Sequence, residues 1–155
     1  MTEATTSDLS AAMLLEIHHQ RLDEMLDEIE LMADAENWKD AKRRFDGFRR
    51  EMEEHIRLEE EMMFPTFEAE GSMPRGPTVV MRTEHVSIRQ FLADVEAALT
   101  EERPISRTTA ALEAQLSVHN FKEERILYPA FERTASAATR MALAAKVEAL
   151  LRGPG

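Results

Sequence analysis

Five histidines and no cysteine define the chemistry open to this 155-residue chain. His55 and His119 are each followed four residues on by a glutamate, Glu59 and Glu123, while His18, His19 and His85 complete the imidazole set. On a helix an (i, i+4) pair faces one way, so each H-x-x-x-E offers a nitrogen and an oxygen to one site. Imidazole and carboxylate together suit Fe, Mn or Zn. The lack of cysteine removes disulfides, iron–sulfur clusters, thiolate zinc sites and cysteine nucleophiles. The H-E-x-x-H pattern of zinc proteases is also missing.

Helices must position these groups, since the chain has only 5 Gly and 6 Pro and few aromatics. Ser7-Asp8 or Ser10 is placed to cap a first helix to about Ala35, and Asn37 a second to about Glu70. The segment Gly71-Ser-Met-Pro-Arg-Gly-Pro77 predicts a loop. A third helix is expected over about Thr78 to Thr100 and a fourth, capped by Ser106, to about Glu132. A short fifth, about Ser136 to Leu151, would pack across the outside. Pro65 and Pro129 are placed to kink or end helices two and four. The fold class is therefore all-α: an up-down-up-down four-helix bundle with an additional short C-terminal helix. Its expected limits are a flexible N-terminus over 1–9 and one domain over 10–152.

Spacings of three and four trace the buried seam of each long helix. Helix one gives Leu15, His19, Leu22, Leu26 and Ile29, and helix two Phe45, Phe48, Met52, His55, Glu59 and Met62. Helix three gives Met81, His85, Ile88, Leu92, Val95 and Leu99, and helix four Leu112, Leu116, His119, Glu123 and Ile126. Every seam carries a histidine, and two carry a glutamate one turn on. An ionised carboxylate in a bundle interior costs several kcal/mol unless it is paired or holds a cation. No Lys or Arg shares these seams.

An internal repeat of 64 to 66 residues reinforces the pattern. His55-Ile-Arg-Leu-Glu59-Glu60-Glu-Met-Met-Phe64-Pro65-Thr-Phe67 matches His119-Asn-Phe-Lys-Glu123-Glu124-Arg-Ile-Leu-Tyr128-Pro129-Ala-Phe131, and His19-Gln-Arg-Leu22 matches His85-Val-Ser-Ile88. The two halves are one helix pair used twice, each with a lone His and one H-x-x-x-E. The Phe/Tyr-Pro ends read as helix termination and core packing. The ten Met residues read as core filling.

Charge narrows the partners. With 19 Lys and Arg against 30 Asp and Glu, the formal net charge is −11, which disfavours nucleic acid and anionic membrane. MTEATTSDLS lacks the basic and apolar regions of a signal peptide, and no apolar run approaches a membrane span. A cytoplasmic location is the expectation.

The repeated H … HxxxEE..[FY]P pattern resembles the hemerythrin-like proteins, the HHE cation-binding domain, over about residues 10 to 150. That resemblance implies a non-haem centre of two iron ions, ligated by His19, His55, Glu59, His85, His119 and Glu123, with Glu59 and Glu123 bridging. His18 is the rival of His19 by a one-residue shift, and the match to His85-Val-Ser-Ile88 favours His19. Glu60 and Glu124 read as solvated carboxylates or partners of ligands. Ferritin-like bundles need two E-x-x-H pairs and two further inward glutamates, and Glu16-Ile-His18-His19 supplies one pair.

Departures from the family bear on activity. Oxygen-carrying hemerythrins have a further histidine where this chain has Arg89, and an aspartate five residues after the last histidine where this chain has Glu123 at four. More coordination positions would then be open, as in relatives linked to iron-centre repair, nitric oxide and peroxide. The cysteine-containing N-terminal segment of the repair proteins is absent from this sequence. The expected ligand is O2, nitric oxide or peroxide, with an unidentified electron donor. Peroxide decomposition or nitric oxide reduction is preferred, and reversible oxygen binding, sensing or storage is the alternative. Arg89 reads either as a surface cation or as one that steers an anionic ligand.

Overall fold

The computed structural model describes residues 9–70 and 75–153, with no strand among the described residues. Seven helices follow in order: α1 (Ala11–Asp34), α2 (Trp38–Leu58), α3 (Phe64–Glu70), α4 (Arg75–Thr100), α5 (Ser106–Lys122), α6 (Tyr128–Thr134) and α7 (Ala137–Leu151). Single π-helical turns, Glu59–Met63 and Glu123–Leu127, join α2 to α3 and α5 to α6 into two long rods. The pairs α1/α2 and α4/α5 lie side by side, and α2/α4 and α1/α5 contacts close the four-helix bundle. Helix α7 packs on the outside against α1 and α2.

Several boundaries follow from local chemistry. Ser10 Oγ accepts from Met13 N at 3.1 Å and Ser136 Oγ from Thr139 N at 3.1 Å, capping α1 and α7. Asn37 holds the N-cap position of α2, but its side chain donates to Asp40 Oδ2 at 2.8 Å and caps no backbone N–H. The cap expected at Ser106 is corrected to Ile105, whose side chain is buried in the core while Ser106 begins the helix. The expected loop is shorter than 71–77, because Gly76 and Pro77 lie within α4. Pro77 is tolerated in a first turn, where N–H groups have no intrahelical acceptor. Residues 71–74 lie outside the described residues. So does the expected flexible segment 1–9 apart from Leu9, which packs against the core.

Neither Pro65 nor Pro129 ends its helix. A proline ring clashes with the carbonyl four residues back and supplies no N–H, and the π turn just before each proline accommodates it. Phe64 N–H bonds to Glu59 O and Tyr128 N–H to Glu123 O, a spacing of five in both halves. The wider turn adds one residue, so the seam slips. Met62 is half-buried and Ile126 is exposed, whereas Met63 and Leu127 are buried in their place.

Two apolar clusters fill the bundle. One holds Leu22, Leu26, Phe45, Phe48, Met52, Ile88, Leu92 and Leu116, and the other Leu14, Leu15, Met63, Phe64, Met81, Leu127, Tyr128, Phe131, Leu143 and Val147. Along α1, α2, α4 and α5 the histidines fall between these sets. A polar layer therefore separates two dry plugs.

Candidate metal centre

That layer contains His19 and His55 from α1 and α2, His85 and His119 from α4 and α5, and Glu59 and Glu123 at the first positions of the π turns. None of the six is more than 5% exposed. Glu59 faces two imidazoles, with His55 Nε2 at 3.3 Å and His85 Nε2 at 3.2 Å. Glu123 likewise faces His19 Nε2 at 3.2 Å and His119 Nε2 at 3.1 Å. Each carboxylate thus meets one histidine of its own half and one of the other. Two overlapping donor groups result, His19/His55/Glu59/Glu123 and Glu59/His85/His119/Glu123, each with its ligand atoms within 4.8 Å of one another.

The far nitrogens are held as carefully as the near ones. His19 Nδ1 meets Glu124 Oε2 at 2.7 Å, His85 Nδ1 meets Glu60 Oε2 at 2.7 Å and His119 Nδ1 meets Glu84 Oε1 at 2.9 Å. His55 Nδ1 lies 2.8 Å from His18 Nδ1, and His18 Nε2 is 3.0 Å from Glu51 Oε1. If each Nδ1–H donates outward, every Nε2 is free to offer its lone pair inward. His18, the rival of His19, is buried behind His55 and lies outside both donor groups.

Protonation in the absence of a cation follows from these contacts. Burial disfavours the charged form of His19, but hydrogen bonds to Glu123 and Glu124 outweigh it and raise its pKa to about 10. For His119, burial is again outweighed, by the charge of Glu123 beside it, and its pKa rises to about 9. His85 is raised against burial by Glu59. Burial opposes ionisation of Glu59, yet His55 and its neighbours hold it well below the usual carboxylate range. His18 goes the other way, lowered by burial to about 4 despite Glu51. Protons on the imidazoles thus stand where a cation would balance the two glutamates.

The fit to a metal is better than the fit to protons alone. Glu59 Oε1, His85 Nε2 and Glu123 Oε2 are buried without a hydrogen-bond partner. Although imidazole and carboxylate approach to 3.1–3.2 Å there, the angles do not make hydrogen bonds. An orphaned buried polar atom costs about 1–3 kcal/mol, and a shared cation satisfies all three. Beside the layer lies a cavity of about 10 Å³, bordered by His19, His55, Glu59, His119 and Glu123, by Leu22, Met52, Ile56, Ile88 and Leu116, and by Asp23 and Asn120. It is about the size of one water. An open groove of about 560 Å³ between α1 and α5 reaches His19 past Asp23, Asp27, Glu113 and Glu124.

Other residues fall differently from their expected places. Arg89 lies on the outer face, with Nε 3.1 Å from Glu53 Oε2 and Nη1 3.9 Å from Glu60 Oε2. It reaches the layer through Glu60 and His85, not directly. Glu60 and Glu124 are imidazole partners rather than free solvated groups. Tyr128 corrects the reading of the Phe/Tyr-Pro ends as packing alone. Its hydroxyl lies 2.5 Å from Glu59 Oε2, 3.1 Å from both Glu123 Oε1 and His19 Nε2, and 3.3 Å from His55 Nε2. The signal available was its alignment with Phe64: one repeat has an oxygen there and the other does not.

The family model of the hemerythrin HHE cation-binding domain matches residues 11–131, and the chain belongs to that family. No curated protein and no solved structure matches the chain. Membership and the buried His/Glu cluster together define a metal-binding protein. No helix among the described residues is long and apolar enough to cross a membrane.

Proposed function

We propose that residues 10–152 form one domain holding two iron ions through His19, His55, Glu59, His85, His119 and Glu123, with both glutamates shared between the ions. The supporting observation is the trio of orphaned atoms, Glu59 Oε1, His85 Nε2 and Glu123 Oε2, all directed into one donor group. Iron bound there would supply electrons and open coordination positions to a small ligand. The chain's own contribution is orientation and exclusion. Glu60, Glu84, Glu124 and His18 fix the imidazole planes, while the apolar plugs keep bulk water from the layer. The acidic walls of the α1/α5 groove favour a cation on its way to His19.

Within this reading the ligand is a diatomic molecule or peroxide in the cytoplasm, and the preferred chemistry is peroxide decomposition or nitric oxide reduction. A net charge of −11 disfavours nucleic acid and anionic membrane as partners. The small cavity with an apolar wall favours reversible oxygen binding as the second reading. Anaerobic iron loading followed by separate O2, NO and peroxide mixing in stopped-flow absorbance decides between them. Multiple turnovers of peroxide or NO support catalysis. A stable spectrum reversed by lowering O2 supports carriage, and no spectral response to any of the three overturns both.

A further inference from the structure

The two donor groups share Glu59 and Glu123 but are closed by different residues. Tyr128 OH faces all four residues of the His19/His55 group, at 2.5–3.3 Å, and its side chain is buried. A phenol has one proton to donate and two lone pairs, so it cannot satisfy four such neighbours. Its ring lies 5.7 Å from that of His19 at an interplanar angle of 23°, and sits in the apolar cluster with Met63, Leu127 and Phe131. Tyr128 is 1% exposed, so its hydroxyl reaches solvent only by way of His19 and the part-exposed Glu124 beside it. Any ion held by these four residues has the phenol oxygen among its nearest neighbours.

The opposite half has no such oxygen. Phe64, the repeat equivalent of Tyr128, stacks on His85 at 5.7 Å and 11°. The three orphaned cluster atoms face this half, Glu59 Oε1 lying 3.2 Å from His85 Nε2 and Glu123 Oε2 3.1 Å from His119 Nε2. Resting on the two-iron reading above, we infer that Tyr128 is a further metal ligand, specific to the ion held by His19 and His55. The Phe64 half is then the one left open to an exogenous ligand. On ligation the O–H bond breaks, its proton leaves to solvent as metal is taken up, and an oxygen lone pair binds the ion. No electron is transferred in this step.

Tyr128 is the chain's only tyrosine, so a tyrosinate signal from the wild-type protein needs no variant for its assignment. The experiment loads the full chain with iron, oxidises it to the ferric state, counts iron, and records visible absorption and resonance Raman spectra. The expected result is a phenolate-to-ferric charge-transfer band whose excitation enhances tyrosine ring modes. Tyr128→Phe should abolish the band at matched iron content. Azide serves as a probe of the open half: Phe64→Tyr should weaken its binding about tenfold or more, and Tyr128→Phe should not. Iron-loaded wild type without tyrosinate modes, or a band that survives Tyr128→Phe, overturns the Tyr128 assignment alone. A wild-type chain that takes up no iron overturns the metal reading and this inference with it.

Discussion

The two halves of the bundle place the same groups at the layer and support them differently. In the second half His119 is held directly by Glu84, which is in turn bound by Lys122. In the first half the position equivalent to Glu84 is His18, so the support of His55 runs through a neutral imidazole to Glu51. Arg21 then joins Glu51 at 2.8 Å to the end of α7, through Leu151 O at 2.9 Å. Helical repetition reproduces what lies on one face of one helix. Supporting groups come from neighbouring helices, and there the halves are free to diverge.

The harshest way to break this symmetry is to remove what the halves share. Glu59→Ala combined with Glu123→Ala should abolish stoichiometric metal binding by elemental analysis, whereas His18→Ala should be mild beside His19→Ala. Retention of full metal content by the double variant would remove the shared-carboxylate arrangement.

Metal removal should expose the proton-for-metal exchange. Chelation should lower the melting temperature measured by calorimetry, by an amount equivalent to about 4 kcal/mol at metal concentrations near a thousand times Kd. The helices should persist, because imidazolium–carboxylate pairs replace the cation. His19 and His119 rise from 6.5 to about 10 and about 9, and His85 rises too. Groups raised in the folded state contribute stability that is full below the unfolded value and lost as pH climbs through the folded one. The metal-free protein should therefore lose stability between about pH 7 and 10, while apparent metal affinity rises as competing protons leave. On the acid side, Glu59 and Glu84, depressed in the folded state, and His18, kept neutral to about 4, remove stability as pH falls. A melting temperature of the metal-free protein that climbs from pH 7 to 10 would contradict the exchange.

Smaller changes sharpen the contrast between supports. Glu84→Ala should lower metal affinity about 10–100-fold, because His119 loses the partner that orients it. Arg21→Ala acts two contacts further from its imidazole and should cost less, in a competition titration with a coloured chelator. Equal losses would mean that the relay through His18 is as stiff as a direct carboxylate.

The smallest effects lie at a repeat-related pair far from the layer. Glu36 and Glu102, just past the ends of α1 and α4, have φ of 58° and 55°. A left-handed residue with a Cβ costs about 1 kcal/mol against glycine. Glu36→Gly and Glu102→Gly should each raise stability by about that amount in urea denaturation, with metal content unchanged.

Much of this architecture was legible because helices write their buried face at fixed intervals. The seams placed all six His and Glu side chains of the layer, and the repeat paired the halves. The π turns were not legible, since Pro65 and Pro129 signal interruption without saying how the backbone absorbs it, and Met62 and Ile126 were misplaced by one residue. Glu84, Glu51 and Arg21 escaped because their partners lie on other helices, where no sequence interval marks contact. Tyr128 was hidden by its second role: the ring packs as Phe64 does, and only the hydroxyl distinguishes them.

The central claim is that two ions share Glu59 and Glu123 within one buried layer. Anomalous diffraction at the iron absorption edge from crystals of the iron-loaded chain tests it most directly. The account predicts two peaks, one bordered by His19 and His55 and the other by His85 and His119, with both glutamates between them. A single peak in the layer would contradict it, as would iron found instead at the exposed Asp27, Glu30 and Glu113 group.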